Sequence, residues 1–382
     1  MTSSVAARPA INWPAAIVLT ATFFAALTVI PVYAFNFDFS TSAWVSFIVL
    51  LTFNGMSITG GYHRLWAHRA YEAHWSLKIF FMLFGAMAIQ NSILIWASSH
   101  RTHHRNVDDV DGDPYSINRG FFFAHIGWML RNYESGKPNF SNANDLLNDK
   151  IVMFQHNYYV PIVLVMNLGL PIALGLLLGD FWGVFLLGGL LRLVVSHHVT
   201  FFINSLCHMW GTRPYTDENT ARDNPVLALM TWGEGYHNYH HIFQYDYRNG
   251  VKWWQFDPTK WMILSLSWVG ITRNLKRCSE FAIQKAQLTM QFKRAEQQLA
   301  KRQARKANVE ALKAKVAHEY EIFSAAMQEW AKVKEEEFAQ KKAQLQQKWE
   351  DAPFRARFKE IESRLKEQRK RMRALTAQVA SA

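Results

Sequence analysis

A chain of 382 residues, half of them hydrophobic and carrying 27 Phe and 15 Trp, has room for more than one domain, and the aromatic load suits a membrane protein with interfacial belts. Its two cysteines, Cys207 and Cys278, exclude a disulfide framework or a cysteine-based metal site. The net charge of +12 belongs to the tail: residues 274–382 hold 25 Lys and Arg against 14 Asp and Glu, whereas 1–273 hold 17 against 16, so a charge argument for a partner applies only beyond residue 273.

In chain order, four apolar runs reach the about 20 residues that a membrane-spanning helix needs. They cover 14–34, 42–60, 158–178 and 181–203. The first follows a single basic residue, Arg8, without a small-residue cleavage pattern behind it, and reads as a retained anchor rather than a signal peptide. "FNFDFSTS" joins the first two runs and "GD" the last two, and neither connection has a Lys or Arg. Positive-inside logic therefore places 61–157 and everything after 204 in the cytoplasm, giving two hairpins with both termini inside. A fifth apolar stretch, 76–97, contains Lys78, Gln90 and Asn91 and reads as an interfacial or re-entrant helix. Were it to span, it would separate histidines that belong together.

The tail changes texture. Apolar positions 309, 312, 316, 320, 323, 327 and 330, then 354, 358, 361, 365, 372, 375 and 379, step by threes, fours and sevens, the mark of a helical seam. "EDAP" (350–353) interrupts them, so the spacing predicts a long helix, a turn at Pro353 and a second helix. This is either an intramolecular hairpin or a coiled coil that makes oligomers.

Histidines carry the chemistry. "HRTHH" (100–104) and "HNYHH" (237–241) repeat the i, i+3, i+4 spacing that gathers imidazoles on one helix face. Asn204 and His208 form an i, i+4 pair where the fourth run ends. His63 and His68 stand five apart, a poor fit to a regular helix, which predicts a break or ligation of two different metals. One HxxHH in a loop is more often surface than ligand; two copies and two further pairs on one side of the membrane are not. Nine histidines exceed one ion's needs, so two metals are favoured. All-nitrogen ligation without cysteine suits iron better than structural zinc, though zinc fits either geometry.

"GYHRLWAHRAY", "HRTHH" followed by "DGDPYSINRGFFFAHIGWML", "NSLCHMWG" and "GEGYHNYHH" resemble the motifs of the membrane fatty acyl desaturases, acyl-CoA delta-9 (stearoyl-CoA type) branch, over about residues 11–273. The resemblance implies an all-α membrane protein with four transmembrane helices and a cytoplasmic histidine-rich di-iron domain (1–273), followed by the basic helical tail (274–382). It implies an enzyme that uses dioxygen and two electrons to introduce a cis double bond between carbons nine and ten of a saturated acyl chain. The matching ligands are His63, His68, His100, His103, His104, His208, His237, His240 and His241, with Asn204 reaching one of two irons through water. Asn91 and Trp96 match positions that meet the acyl thioester region, and Trp128 an aromatic beside the chain's path.

Two departures bear on the acyl carrier. Ser98 and Ser99 stand where the animal enzymes have an Arg-Asp pair, and the basic pair after "GW" is reduced to Arg131 and Asn132. Acyl-CoA stays the favoured substrate, with a phospholipid or a carrier protein as alternatives. With no dinucleotide loop or haem signature in the chain, electrons must come from a separate ferredoxin, cytochrome or flavin reductase. The competing readings are a di-iron hydroxylase and a non-catalytic membrane metal carrier or sensor. The latter needs ionisable groups at mid-membrane, where only Arg192, His197 and His198 serve. "DVDGDP" (109–114) lacks the terminal Glu of a calcium loop, and Asp108, Asp109, Asp111 and Asp113 read instead as groups that orient ligand histidines. "RNGVKWWQFDPTKW" (248–261) suits the membrane interface rather than nucleic acid, and the expected location is a bacterial inner membrane.

Overall fold

The computed structural model describes residues 9–302, 309–343 and 352–381. Pro14 sits in the first turn of α1 (Trp13–Asn36), where its missing N–H is no loss. Of the described residues of α1 only Ala26 is buried, and Phe35 is 91 % exposed, as suits a helix whose solvent is lipid. Ser40 caps α2 (Thr41–Ala67) by accepting from Ala43 N at 3.1 Å. The end of α2, Ser57–Ala67, is wound as a π-helix. Two later helices, α5 (Tyr159–Leu177) and α6 (Phe181–Met209), complete a set of four among the described residues that are long and apolar enough to cross a bilayer. Both α2 and α6 run beyond the ends that hydropathy predicts, and so carry His63 and His208 on the ends of spans. Ser40 Oγ donates to Asp180 Oδ2 at 2.5 Å, and Asp180 in turn accepts from Gly183 N at 2.8 Å to cap α6. The two connections without Lys or Arg therefore meet at one end of the bundle, as two hairpins require.

The stretch 76–97 is interrupted. It forms α3 (Trp75–Ala86) and α4 (Ile93–Arg105). The 12 residues of α3 rise only about 18 Å, short of the about 30 Å of hydrocarbon that a span must cross. In the break, Ile89 and Asn91 adopt φ of 50° and 74°. Its exposed backbone groups are answered from the bundle: Arg192 donates to Met87 O and His197 to Ala88 O, each at 2.7 Å, while Gln155 Oε1 accepts from Ile93 N at 2.8 Å. Irregular backbone is tolerated at membrane depth only where protein satisfies it. Tyr62, Phe81, Met87, Leu94 and Ile263 form the core around this break. A short antiparallel ladder, Glu72–Ala73 with Thr272–Arg273, ties the turn after α2 to the residues behind α8 (Pro258–Trp268). Between them lies α7 (His237–Ile242).

The chain divides into two compact units: Met1–Arg213 with Glu218–Arg277, and Pro214–Asp217 with Cys278–Ala382. The second holds three helices, α9 (Glu280–Arg302), α10 (Val309–Ala343) and α11 (Ala352–Ser381), where periodicity predicts two. The predicted seam is present. Val316, Phe323 and Val333 of α10 pack with Ile361, Leu365, Met372 and Leu375 of α11. Phe281, Leu288, Phe292, Ala295 and Leu299 of α9 join the same core, which turns the expected hairpin into a three-helix bundle. Tyr320, expected in the seam, is 53 % exposed. Pro353 lies in the first turn of α11 rather than between helices, a position that proline tolerates. Residues 350 and 351, and the side chains at 309, 354 and 379, lie outside the described residues.

Candidate metal centre

An α-helix turns about 100° per residue, so side chains five apart point roughly 140° away from each other. The π-wound end of α2 removes that difficulty. His68 N donates to His63 O at 3.0 Å, an i to i+5 closure, and the two rings stand 4.7 Å apart. Both belong to one histidine group, which corrects the expectation that they ligate different metals: the break exists, but as a widened turn that brings the rings together.

The two HxxHH segments divide their histidines between two groups. His63, His68, His100, His104 and His240 form one; His103, His208, His237 and His241 form the other, with donor atoms in each within 4.8 Å of one another. The i, i+4 pairs 100/104 and 237/241 each stay together, and the middle residues His103 and His240 cross to the opposite group. Adjacent Nε2 atoms, among them His63–His240, His68–His100, His104–His100, His237–His208 and His241–His237, are 2.8 to 3.1 Å apart. Donors at about 2.1 Å from a shared ion stand about 3.0 Å apart at right angles and about 3.4 Å apart in a tetrahedron. The rings are thus spaced as neighbouring ligands of a common cation.

Several outward nitrogens meet acceptors. His103 Nδ1 lies 2.8 Å from Asp113 Oδ1, His63 Nδ1 2.8 Å from Glu234 Oε2, and His208 Nδ1 2.7 Å from Thr220 Oγ1, with Asp108 behind it at 3.7 Å. A carboxylate on the far nitrogen fixes the tautomer that aims the other lone pair at a metal. Burial works to raise the Glu234 carboxyl, but His63 and Arg64 outweigh it and hold it below the ordinary glutamate value. Burial likewise opposes ionisation of Asp108, yet His208 and Thr220 bring its carboxyl to about 2. His68, His100, His104, His237, His240 and His241 are all pushed well below the ordinary histidine value, first by burial and then by neighbouring imidazoles. Neutral imidazole is the form that binds metal. The residues present fit two metal ions.

Both groups open on one cavity of about 670 Å³, lined by His63, His100 and His237 as well as by Asn204, Asn91, Trp96 and Trp128. Every candidate contact read from the sequence is therefore on its wall. Trp96 stacks on His100 with ring centres 4.9 Å apart, and its Nε1 donates to Gln90 Oε1 at 3.3 Å. Trp128 Nε1 is buried with no hydrogen-bond partner among the described residues. Ser99, Arg131, Asn132 and Lys137 line a polar part of the same cavity, whereas Ser98 turns away to bond Asn139 O at 2.7 Å.

Of the four aspartates expected to orient ligands, Asp108 and Asp113 do so. Asp109 and Asp111 do not: Asp109 Oδ1 instead accepts from Asp111 N at 3.0 Å within the loop. His197 lines the cavity, while His198 pairs with His125 at 3.0 Å and Arg192 is satisfied by backbone and Asn167. Sequence reading missed Glu234, Arg64 and Asp257, a buried cluster in which Arg64 Nη2 lies 2.9 Å from Glu234 and 3.0 Å from Asp257. An Arg directly after His63 and a Glu between two glycines before His237 were the available signals.

The fatty acid desaturase family model matches residues 39–267. The chain is 42 % identical over 261 residues to the "Probable acyl-CoA desaturase" of Schizosaccharomyces pombe, covering 68 % of this chain and 54 % of that protein. It is 42 % identical over 248 residues to "Acyl-CoA desaturase 1" of Saccharomyces cerevisiae, covering 65 % and 48 %. Against "Stearoyl-CoA desaturase 5" of Bos taurus it is 38 % identical over 251 residues, covering 64 % and 73 %. The chain thus spans about half the length of the two yeast relatives. All three relatives are eukaryotic, which gives the expected bacterial membrane no support. Four apolar helices, two histidine groups and a match that takes in every one of those histidines have a single joint reading: this integral membrane protein belongs to the fatty acid desaturase family.

Proposed function

We propose that the protein is an oxygen-dependent desaturase that introduces a cis double bond, between carbons nine and ten, into a saturated fatty acyl chain carried on coenzyme A. The observation that carries the reading is the opening of two all-imidazole groups onto one cavity of about 670 Å³ lined by both polar and apolar side chains. The names of the relatives support the acyl-CoA class. Two irons, held by the five- and four-histidine groups with Asn204 reaching one of them through water, would supply the oxidising power that removes two hydrogens from adjacent methylenes. Nε2 separations of 2.8 to 3.1 Å support ligation of common cations by neighbouring imidazoles, and the all-nitrogen donor set without cysteine favours iron over structural zinc.

The protein's own part is positioning. Trp96, braced by Gln90, walls the path beside His100, and Gln90 Nε2 donates onward to Thr200 Oγ1 at 3.1 Å. A walled chain presents one pair of methylenes to the histidines, so geometry sets the site of reaction. Trp128 Nε1, unpartnered in the wall, offers a donor to a polar atom of the substrate near the mouth. Arg131 and Lys137 at the polar part suit the phosphates of the carrier. Electrons come from a separate redox protein on the side where both termini and the histidines lie, the cytoplasm. The test is fatty acid analysis of membranes with and without this chain, with the new double bond located by position. A hydroxylated product, or an unchanged profile in metal-loaded membranes, overturns the reading.

A further inference from the structure

We infer that the tail bundle is a clamp on the metal centre: by gripping the tip of the loop 212–223 it keeps Thr220 behind His208 and slows the loss of the ion held by the four-histidine group. The inference rests on the two-metal reading above and gives the tail a part in it. The loop is closed at its base, where Thr212 N donates to Asp223 O at 2.9 Å and Asp223 N to Thr212 O at 2.7 Å. Inside it, Thr220 N donates to Asp108 Oδ2 at 2.7 Å and Thr220 Oγ1 to Asp108 Oδ1 at 2.6 Å. With its proton given to Asp108, the hydroxyl accepts from His208 Nδ1, 2.7 Å away. That fixes the tautomer whose Nε2 lone pair is left for the group shared with His103, His237 and His241. Without Thr220, Asp108 alone stands behind His208, 3.7 Å from Nδ1 and too far for a hydrogen bond.

The tip of the loop belongs to the other unit. Pro214–Asp217 group with the tail, and the chain passes from Asp217 back to Thr220 in three residues. Two tail helices hold the tip. From α9, Lys293 Nζ lies 2.8 Å from Asp217 Oδ2. From α11, the Arg369 guanidinium lies within electrostatic range of Tyr215, and its Nη1 donates back to Gln284 Oε1 of α9 at 2.8 Å. Lys293 is half exposed, so its ion pair alone contributes little. Tyr215 and Thr216, each only 7 % exposed, supply the rest of the grip. A loop tied at its base and held at its tip has few conformations left to lose, so Thr220 meets His208 at a small cost in entropy. The effect is confined to one group: the five-histidine group takes its support from Glu234, outside this loop.

The test follows release of iron(II) from the loaded, full-length membrane protein into an excess of an iron(II) chelator, read by the colour of the chelate rather than by turnover. Asp217→Lys should make one of the two ions leave about tenfold faster and leave the other unchanged. Adding Lys293→Asp, which restores the pair with its charges exchanged, should return the rate towards wild type. Thr220→Val should give the same selective acceleration, and Asp217→Lys added to it should give little more, because both break one chain of contacts. The chain ending at Arg277 should purify with two ions yet release one of them at the faster rate. Equal acceleration of both ions, no acceleration in Asp217→Lys, or no recovery with Lys293→Asp overturns the inference. Should Asp217→Lys not fold, Asp217→Asn decides, with a smaller acceleration of the same single ion expected. If wild type holds fewer than two ions, the two-metal reading fails, and hydrogen exchange in the metal-free protein decides the clamp. There the Thr220 amide, which donates to Asp108, should exchange faster in Asp217→Lys than in wild type. Unchanged exchange overturns the clamp whatever the metal content.

Discussion

Each group of imidazoles is complete only with its borrowed member, His240 for the five and His103 for the four, and that makes single substitutions diagnostic. His240→Ala and His103→Ala should each leave about one metal ion per chain and abolish oxygen-dependent turnover, measured by metal analysis and product assay. Glu234→Gln keeps every ligand but removes the carboxylate 2.8 Å behind His63, and should weaken metal retention by about 10- to 100-fold against a chelator. Asp223, which accepts from Tyr239 N at 3.1 Å behind the segment carrying His237, His240 and His241, supplies a pH test. Burial pushes its carboxyl from 3.8 up to about 7, against hydrogen bonds from Tyr239 and Asn238. A carboxyl whose folded value exceeds its unfolded one favours the fold below both and loses that contribution as pH rises through the folded value. The unfolding temperature should therefore fall between about pH 4 and about pH 7, and fall less in Asp223→Asn. The histidines were legible because gathering imidazoles on one helix face imposes an i, i+3, i+4 spacing on sequence. Glu234 was not, because its partners His63 and Arg64 are far away in the chain and nothing local marks the pairing.

At the scale of elements, hydropathy found every span but not how each is wound. The π-turns that end α2 and interrupt α5 and α6 leave composition untouched, so only the odd five-residue step between His63 and His68 hinted at one. The break between α3 and α4 was legible, since Lys78, Gln90 and Asn91 have no place in a lipid-facing helix. Its support from α6 was not. Arg192 is completely buried and donates to Met87 O, Gly188 O and Asn167 Oδ1. Arg192→Leu fills similar space but leaves those acceptors bare, at about 1 to 3 kcal/mol for each that water cannot reach. Thermal unfolding in detergent, followed by tryptophan fluorescence, should show a large drop. Arg192→Lys should recover only part of it, because a single ammonium cannot reproduce the fork of a guanidinium. An unfolding temperature equal to wild type would mean that the break holds itself.

Over the whole molecule, charge and periodicity change near residue 273 while the compact units divide after Arg277, and no such change marks the return of Pro214–Asp217 to the tail unit. Nothing in those four residues signals it; Lys293 Nζ lies 2.8 Å from Asp217 Oδ2 across a gap that sequence cannot see. The tail has its own apolar core and none of the nine grouped histidines. Some of its charges pair internally, as in Arg364–Glu329 at 2.7 Å and Arg371–Glu319 at 3.2 Å, but an excess of basic residues remains. Exposed pairs of this kind contribute little stability, so the apolar seam holds the bundle. If chemistry resides in the membrane unit, a chain ending at Arg277 should keep two metal ions and the same double-bond position. It should unfold at a lower temperature, because Asp217 and its neighbours lose the unit they pack with. Supplying excess electron donor in a reconstituted assay separates a loss of coupling from a loss of chemistry: turnover that recovers with donor assigns the tail to association. Turnover that stays absent in a truncated chain that folds and binds two metals would make the tail part of the catalytic unit.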